Sequence, residues 1–274
     1  MANSGYYCMS KRFYKEMEEP KMVRKKKVLF IGETWMVHTV EAKGFDIFTA
    51  DSYGTGTEYI KKALDTDEIE FHHIPCHLID QLFPENVNKL LEYDVVMISD
   101  VGANTFLLPV ETFLQCKKTP NKLQMIKEYV LNGGGFCMIG GYLSFMGIEG
   151  KGRYNDTPVE DIMPVRFLKH DDRVEHPEGL EISIDASLHE ILEGMPEKIT
   201  GILGYNRAIP KESCQVIAYV DKDPFIAVGE FGKGRSVAYT TDCAPHWSAA
   251  EFCGTDSYRR LWRNIVMWLC NGNK

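Results

Sequence analysis

Asn132–Gly147 reads NGGGFCMIGGYLSFMG. A glycine triplet ends a helix, a short apolar run follows as a buried strand, and a second glycine pair turns the chain sharply. Strand, tight turn and onward helix or loop is the geometry of a nucleophile elbow, which lifts a reactive side chain above the end of a parallel sheet. Here Gly140 and Gly141 stand where a nucleophilic Cys or Ser is expected. Cys137 lies one turn of strand too early and points to a place in the core.

Outward from this stretch the chain alternates strand and helix. KKVLFIGE (Lys26–Glu33) is a continuous apolar run ending in Gly, the mark of a parallel strand buried on both faces. Thr57–Leu64 has helical spacing, Ile69–Ile74 reads as a strand, Asn86–Leu91 as a short helix and Tyr93–Ser99 as a third buried strand. Leu123–Leu131 is an amphipathic helix stopped by Gly133–Gly135, and Phe136–Ile139 is the fourth strand. This order predicts an α/β fold, a doubly wound parallel sheet with helices on both faces. Beyond a glycine-rich loop, 147–158, come strand-like runs at Met163–Leu168, Leu180–Ile184, Gln215–Val220 and Phe225–Phe231. GKGR at Gly232–Arg235 predicts a hairpin turn into Ser236–Thr240, and Ser257–Leu269 a closing helix. The expected layout is an N-terminal extension over 1–25, flexible in character, and one domain over 26–274 with a β-rich extension.

Composition narrows the function classes. The 274 residues are 44% hydrophobic and 26% charged, ordinary for a globular protein. A net charge of −8 argues against nucleic acid as partner, since phosphate binding requires a basic surface. No apolar run approaches the roughly 20 residues that span a bilayer, and the first residues lack an apolar signal core, so no membrane partner is expected. Eight cysteines are scattered without a CxxC pair, which predicts reduced thiols, a cytoplasmic location and no metal site. No motif calls for a cofactor; GKGR lacks the spacing of a phosphate-binding loop. Aromatics such as Tyr6, Tyr7, Phe13 and Tyr14 suggest a homo-oligomer docked through the extension.

Ligands of an open parallel sheet bind beyond the carboxyl ends of its strands. Four polar, Gly- or aromatic-rich segments fall there: GETWMVHTVEAKGFD after the first strand, DVGANTF after the third, GGYLSFMG after the fourth and TTDCAPHW after the last. Each has a functional and a structural reading. Glu33 and Trp35 suit a polar ligand with an apolar face, or a loop over the sheet edge. Asp100 and Asn104 offer hydrogen bonds to a ligand, or a turn and helix cap. The amides of Gly140 and Gly141 can receive an oxyanion, or the glycines serve only the turn. Tyr142 and Ser144 are the first side chains beyond them, Ser144 without an adjacent base. His246, near Asp242 and beside Trp247, is the best candidate for acid–base work, because imidazole titrates near neutrality. Lys151 and Arg153 can make the 147–158 loop a cationic lid, or it is a plain surface loop. The HDDRVE run at 170–175 reads as a solvated charged loop.

The runs VLFIGETW, SDVGANTFLL, YVLNGGGFCMIGGYLSFMGIEGKGRY and TTDCAPHW together resemble the class I glutamine-amidotransferase-like proteins, to which the ThuA-like (trehalose-utilisation) proteins are related. The resemblance covers roughly Lys26–Asn271 and implies a flavodoxin-like α/β fold, a doubly wound parallel sheet of the class I amidotransferase type. True members use an elbow Cys with a late H-x-E motif. This chain has glycine at the elbow, and Trp247-Ser248 follows His246 with no Glu at that spacing. The resemblance therefore implies a retained site without a cysteinyl thioester. Two functions follow: an enzyme repurposed for a small polar or sugar-like metabolite, with His246, Glu33 and Asp242 as its catalytic groups, or a non-catalytic ligand-binding or assembly protein.

Overall fold

A computed structural model describes residues 24–272. The calls on residues 1–23, the extension and its aromatics, lie outside the described residues. Thirteen strands form the β-structure: β1 (Lys26–Gly32), β2 (Thr34–Lys43), β3 (Asp46–Thr55), β4 (Ile69–Ile74), β5 (Val95–Ser99), β6 (Gly135–Ile139), β7 (Val165–Phe167), β8 (Arg173–Ser183), β9 (Lys198–Asn206), β10 (Ala208–Pro210), β11 (Gln215–Val220), β12 (Asp223–Phe231) and β13 (Gly234–Tyr239). Nine α-helices accompany them among the described residues: α1 (Glu58–Leu64), α2 (Ile79–Leu82), α3 (Val87–Leu90), α4 (Ala103–Leu107), α5 (Val110–Gln115), α6 (Lys122–Leu131), α7 (Pro158–Asp161), α8 (Ala250–Cys253) and α9 (Asp256–Cys270).

Seven strands make the central sheet in the order β11-β12-β13-β6-β5-β1-β4. From β13 through β4 every neighbouring pair is parallel. β12 runs antiparallel to both β13 and β11, so the sheet is mixed at one edge. The predicted GKGR hairpin is the reason: a tight turn reverses the chain and can join only antiparallel strands.

Successive residues of a strand face opposite sides, and the core divides accordingly. Val28, Phe30, Cys137 and Ile139 pack on one face with Ile60 and Leu64 of α1 and Leu261, Trp262 and Ile265 of α9. Leu29, Ile31, Phe136 and Met138 pack on the other with Phe106, Ile126 and Val130 from α4 and α6. Burial pushes the Cys137 thiol far above its ordinary range. It is a core side chain.

Three regions differ from the sequence reading. Thr34–Thr55, expected as loop, is a ten-pair antiparallel ribbon with Gly44 and Phe45 at its turn. Its polar residues conceal the period-2 pattern, and neither strand joins the main sheet. β9 and β10 had no apolar run long enough to announce them; β9 pairs with β8 and β10 with β7. The short helices α2, α4, α5, α7 and α8 carry too few turns for a periodic signal. No helix among the described residues is long and apolar enough to cross a membrane.

Candidate functional site

Three strand ends meet at one edge of the sheet. Glu33 follows β1, Asp100 follows β5, and Asp242 follows β13 by three residues. Glu33 has φ 55° and Asp100 φ 44°. Side chains other than Gly enter this left-handed region at a cost, which the surroundings must hold in place. At Glu33 the hold is visible. Gly32 lies so close to β5 that a Cβ there would sit 1.9 Å from the Ser99 carbonyl oxygen. The Glu33 N–H donates to that same carbonyl at 3.0 Å. His73, half-buried on β4, pairs through Nε2 with the Gly32 carbonyl at 2.9 Å.

The elbow after β6 lies between these ends, and the space where side chains on its glycines would stand is occupied. A Cβ on Gly140 would lie 2.1 Å from the Thr240 carbonyl oxygen. A Cβ on Gly141, at φ +155°, would lie 2.9 Å from Asp100 Oδ1. Neither amide is available to an oxyanion, which corrects that reading. Gly140 N–H donates to the Tyr239 carbonyl at 2.8 Å and Gly141 N–H to Asn206 Oδ1 at 2.9 Å. Ser144 is buried and its Oγ accepts the Asp100 N–H at 3.0 Å, a structural bond. Asp172 closes the turn from below. Its carboxylate accepts Met146 N–H, Gly147 N–H and Asn206 Nδ2, each at 2.8 Å. The buried Asp172 thus belongs to a framework that the HDDRVE run did not disclose.

Asp242 is fully buried. Its Oδ1 accepts the Ala244 N–H at 2.9 Å and its Oδ2 pairs with His246 Nδ1 at 3.3 Å. With Nδ1–H donating to the carboxylate, Nε2 is the nitrogen left for other partners. The hydrogen bond to Asp242 raises the proton affinity of His246 above that of free imidazole. The same bond opposes, without cancelling, the burial that raises Asp242 itself.

Glu33 is fully buried beside them. Its Oε2 accepts the Ser99 hydroxyl at 2.6 Å and lies 3.8 Å from Cys243 Sγ. Its Oε1 has no hydrogen-bond partner among the described residues. Burial holds the Glu33 carboxyl well above the usual range, reinforced by the charges of Asp242 and Asp100. Burial and Asp242 likewise push Asp100 up to about 6. Three carboxyl groups around one imidazole repel each other as anions and hold protons in compensation. The Cys243 thiol is raised by burial and by Glu33, so it is not a thiolate nucleophile. Two donor sets here could hold a metal ion, each with its atoms within 4.8 Å of one another: Glu33, Asp100 and His246, or Glu33, Asp242 and Cys243. The first, rich in carboxylate oxygen and with one imidazole, is the better fit to a divalent cation.

Beside the cluster lies a cleft of about 280 Å³, walled by Trp35, Thr55, Gly56, Glu58, Tyr59 and the turn 244–246. The Trp35 ring is 5.1 Å from His246 and the Tyr142 ring 6.3 Å, so two aromatic rings lie near the imidazole. Arg173 covers Tyr142 with its guanidinium 4.9 Å from the ring. Gly56 is the contact between cleft and cluster: a Cβ there would lie 2.5 Å from Glu33 Oε1.

The structure thus brings together His246, Glu33, Asp242 and Asp100, with Trp35 and Tyr142 around them. Trp247 is buried behind, its Nε1 donating to Glu175 at 2.9 Å, so it supports Tyr142 and faces no ligand. Asn104 and Arg153 are exposed and do not line the cleft. The lid reading of 147–158 fails as well. Tyr154 is buried with its hydroxyl donating to the Val101 carbonyl, Gly152 is bonded to Met146 and Ala103, and Asp171 accepts the Glu149 N–H. Thr55–Tyr59 escaped sequence reasoning, since only the ribbon's return brings them to the strand end. Arg173 had one signal, its place in a compact run of charges, but that run read as solvated.

A family model described as "Putative glutamine amidotransferase" matches residues 27–271. A cytoplasmic protein from Salmonella typhimurium is 41% identical, with TM-score 0.85, covering 90% of this chain and 99% of that one. A second cytoplasmic protein, from Salmonella typhimurium LT2, is 40% identical with TM-score 0.84, covering 89% and 99%. A "Putative thua-like protein" from Bacteroides uniformis shares the fold at 13% identity and TM-score 0.56, covering 93% and 94%. No curated protein matches the chain.

Proposed function

The chain belongs to the putative glutamine amidotransferase family, and from that premise we propose that it is an enzyme repurposed for a small polar metabolite, working without a cysteine nucleophile. The observation that carries this reading is the His246–Asp242 pair beside a cleft, with the carboxyl groups of Glu33 and Asp100 gathered against it. His246 is the proton carrier. Asp242 orients its ring and stabilises the imidazolium, as a buried carboxylate does in other acid–base dyads. Burial raises the proton affinity of the Glu33 carboxyl and pushes Asp100 up to about 6, toward the range in which general acids and bases are most effective.

The cleft volume is at the small end for ligand sites, which favours a metabolite of about monosaccharide size. Its indole and phenol walls suit a ligand with polar groups and one apolar face, as a sugar ring has. Among the described residues no lysine or arginine lines it, a poor match for the carboxylate of glutamine. The cytoplasmic naming of the Salmonella relatives supports a cytoplasmic site of action. Purified protein incubated with a cell metabolite extract, followed by mass spectrometry of free and retained compounds, tests the reading. A compound consumed in proportion to protein and time is expected. A compound retained stoichiometrically but unchanged would favour a binding or assembly protein on the same scaffold.

A further inference from the structure

Glu33, Asp100 and His246 each offer a ligand atom, all within 4.8 Å of one another. They follow three different strands, β1, β5 and β13. The sequence reading expected no metal because local ligand pairs are absent, whereas these donors are far apart in the chain and meet only through the sheet. Each is anchored by one hydrogen bond. The Ser99 hydroxyl donates to Glu33 Oε2 at 2.6 Å, the Leu143 N–H donates to Asp100 Oδ1 at 2.6 Å, and His246 Nδ1 pairs with Asp242 Oδ2 at 3.3 Å. The last is the carboxylate–histidine arrangement that fixes the tautomer of a metal ligand and leaves Nε2 for the ion. A second observation does not depend on that clustering. Glu33 is fully buried, and its Oε1 has no hydrogen-bond partner among the described residues. Burying a carboxyl oxygen without a partner is costly. This oxygen is aimed toward the cleft, since a Cβ on the cleft-wall residue Gly56 would lie 2.5 Å from it.

We propose that Glu33, Asp100 and His246 bind one divalent transition-metal ion, of the Zn²⁺ or Mn²⁺ type. Two carboxylates and a neutral imidazole balance a divalent charge, so the ion relieves the repulsion between the carboxyl groups and gives Oε1 its partner. The donor set selects the class of ion. Ca²⁺ takes about six to eight oxygen ligands and Mg²⁺ keeps much of its water, and neither calls for an imidazole. Three protein donors, one of them nitrogen, match the sites that leave a coordination position open to a ligand. The other donor set, Glu33, Asp242 and Cys243, fits less well. Both oxygens of Asp242 are already engaged, one with the Ala244 N–H and one with His246. The inference rests on the reading of this cluster as the working site and refines one role in it. In the loaded protein His246 Nε2 is a ligand, and the Lewis acidity of the ion stands in for the imidazolium proton.

The test takes the full chain, strips it with EDTA, and supplies Zn²⁺ or Mn²⁺ separately. Metal analysis after gel filtration and the thermal unfolding midpoint are the readouts. One equivalent of at least one of the two ions is expected to stay bound and to raise the midpoint. Asp242→Asn, which acts on the ion only by positioning His246, should weaken binding by about 10- to 100-fold. Glu33→Gln keeps an oxygen for the Ser99 hydroxyl and should weaken it further than that. If Glu33→Gln does not fold, His246→Gln at the cleft edge carries the same readout. Asp51→Asn, which breaks the exposed His38–Asp51 pair, should leave binding unchanged. No bound metal in wild type would overturn the proposal and leave the acid–base reading standing, with His246 as the proton carrier. Binding removed by Asp51→Asn and untouched by Glu33→Gln would overturn it too, by assigning the ion to the surface. Metal held by the cluster in a protein that converts nothing in the extract would support the site and end the enzyme reading.

Discussion

The strand end after β6 and the strand ends beside it have opposite characters. At the β6 elbow every polar group is spent: both glycine amides, the Ser144 hydroxyl and the Asp172 carboxylate hold the turn itself. After β1, β5 and β13 the reverse is true. Glu33 keeps an unpartnered oxygen, Asp100 and Asp242 hold protons above their usual range, and His246 stands at the edge of a cleft. β6 lies between β5 and β13 in the sheet. A side chain on Gly141 would strike Asp100, and one on Gly140 would strike the backbone after β13. The glycine elbow is thus the condition under which the neighbouring ends approach each other. The absence of a nucleophile and the presence of the carboxyl–imidazole cluster are one geometric fact.

That contrast breaks first at His246. His246→Ala should lower turnover by about 10²- to 10⁴-fold, the range for a positioned acid or base, with the unfolding midpoint little changed because the side chain is 35% exposed. An equal loss of stability and rate would make it a structural residue. Next is the elbow. Gly140→Cys restores the family's nucleophile in name but forces a side chain onto the Thr240 carbonyl. It should destabilise by about 1–3 kcal/mol or more and yield no glutaminase, measured by urea unfolding and ammonia release. Glutaminase activity in that variant would show the elbow still competent.

Titration sharpens the comparison further. Asp100 and Glu33 bind their protons more tightly folded than unfolded. Their favourable contribution is present below the unfolded carboxylate range and is lost as pH rises, through about 6 for Asp100. Asp100→Asn keeps an oxygen for the Leu143 N–H and removes that loss. Its stability relative to wild type should therefore rise between about pH 4 and 7; a difference flat with pH would refute the buried-carboxyl account. The smallest effect is expected at Ser144. Ser144→Ala forfeits one buried hydrogen bond to Asp100, about 1 kcal/mol, and should leave turnover within a few-fold. A large loss of rate would return chemistry to the elbow.

Much of this was legible in the residues. The apolar runs Val28–Ile31, Val95–Ile98 and Phe136–Ile139 announced the parallel sheet because buried parallel strands need nothing but apolar side chains. The strand-end rule then pointed to Glu33, Asp100, Asp242 and His246. What remained hidden depends on long-range pairing. The ribbon's alternation is diluted by Thr, His and Asp, and its return to the strand end could not be read locally. The occupation of the Gly141 amide by Asn206 joins residues 65 apart in the chain. Glycine in a turn reads as freedom, whereas here the place of a side chain on Gly140 is already taken by the Thr240 carbonyl and Asn206 Oδ1.

The most direct test sets wild type and His246→Ala side by side in a metabolite extract and follows both by mass spectrometry over time. The account predicts one small polar metabolite consumed by wild type and untouched by the variant, with glutamine unchanged in both. Hydrolysis of glutamine by wild type, or equal conversion by the two proteins, would contradict it.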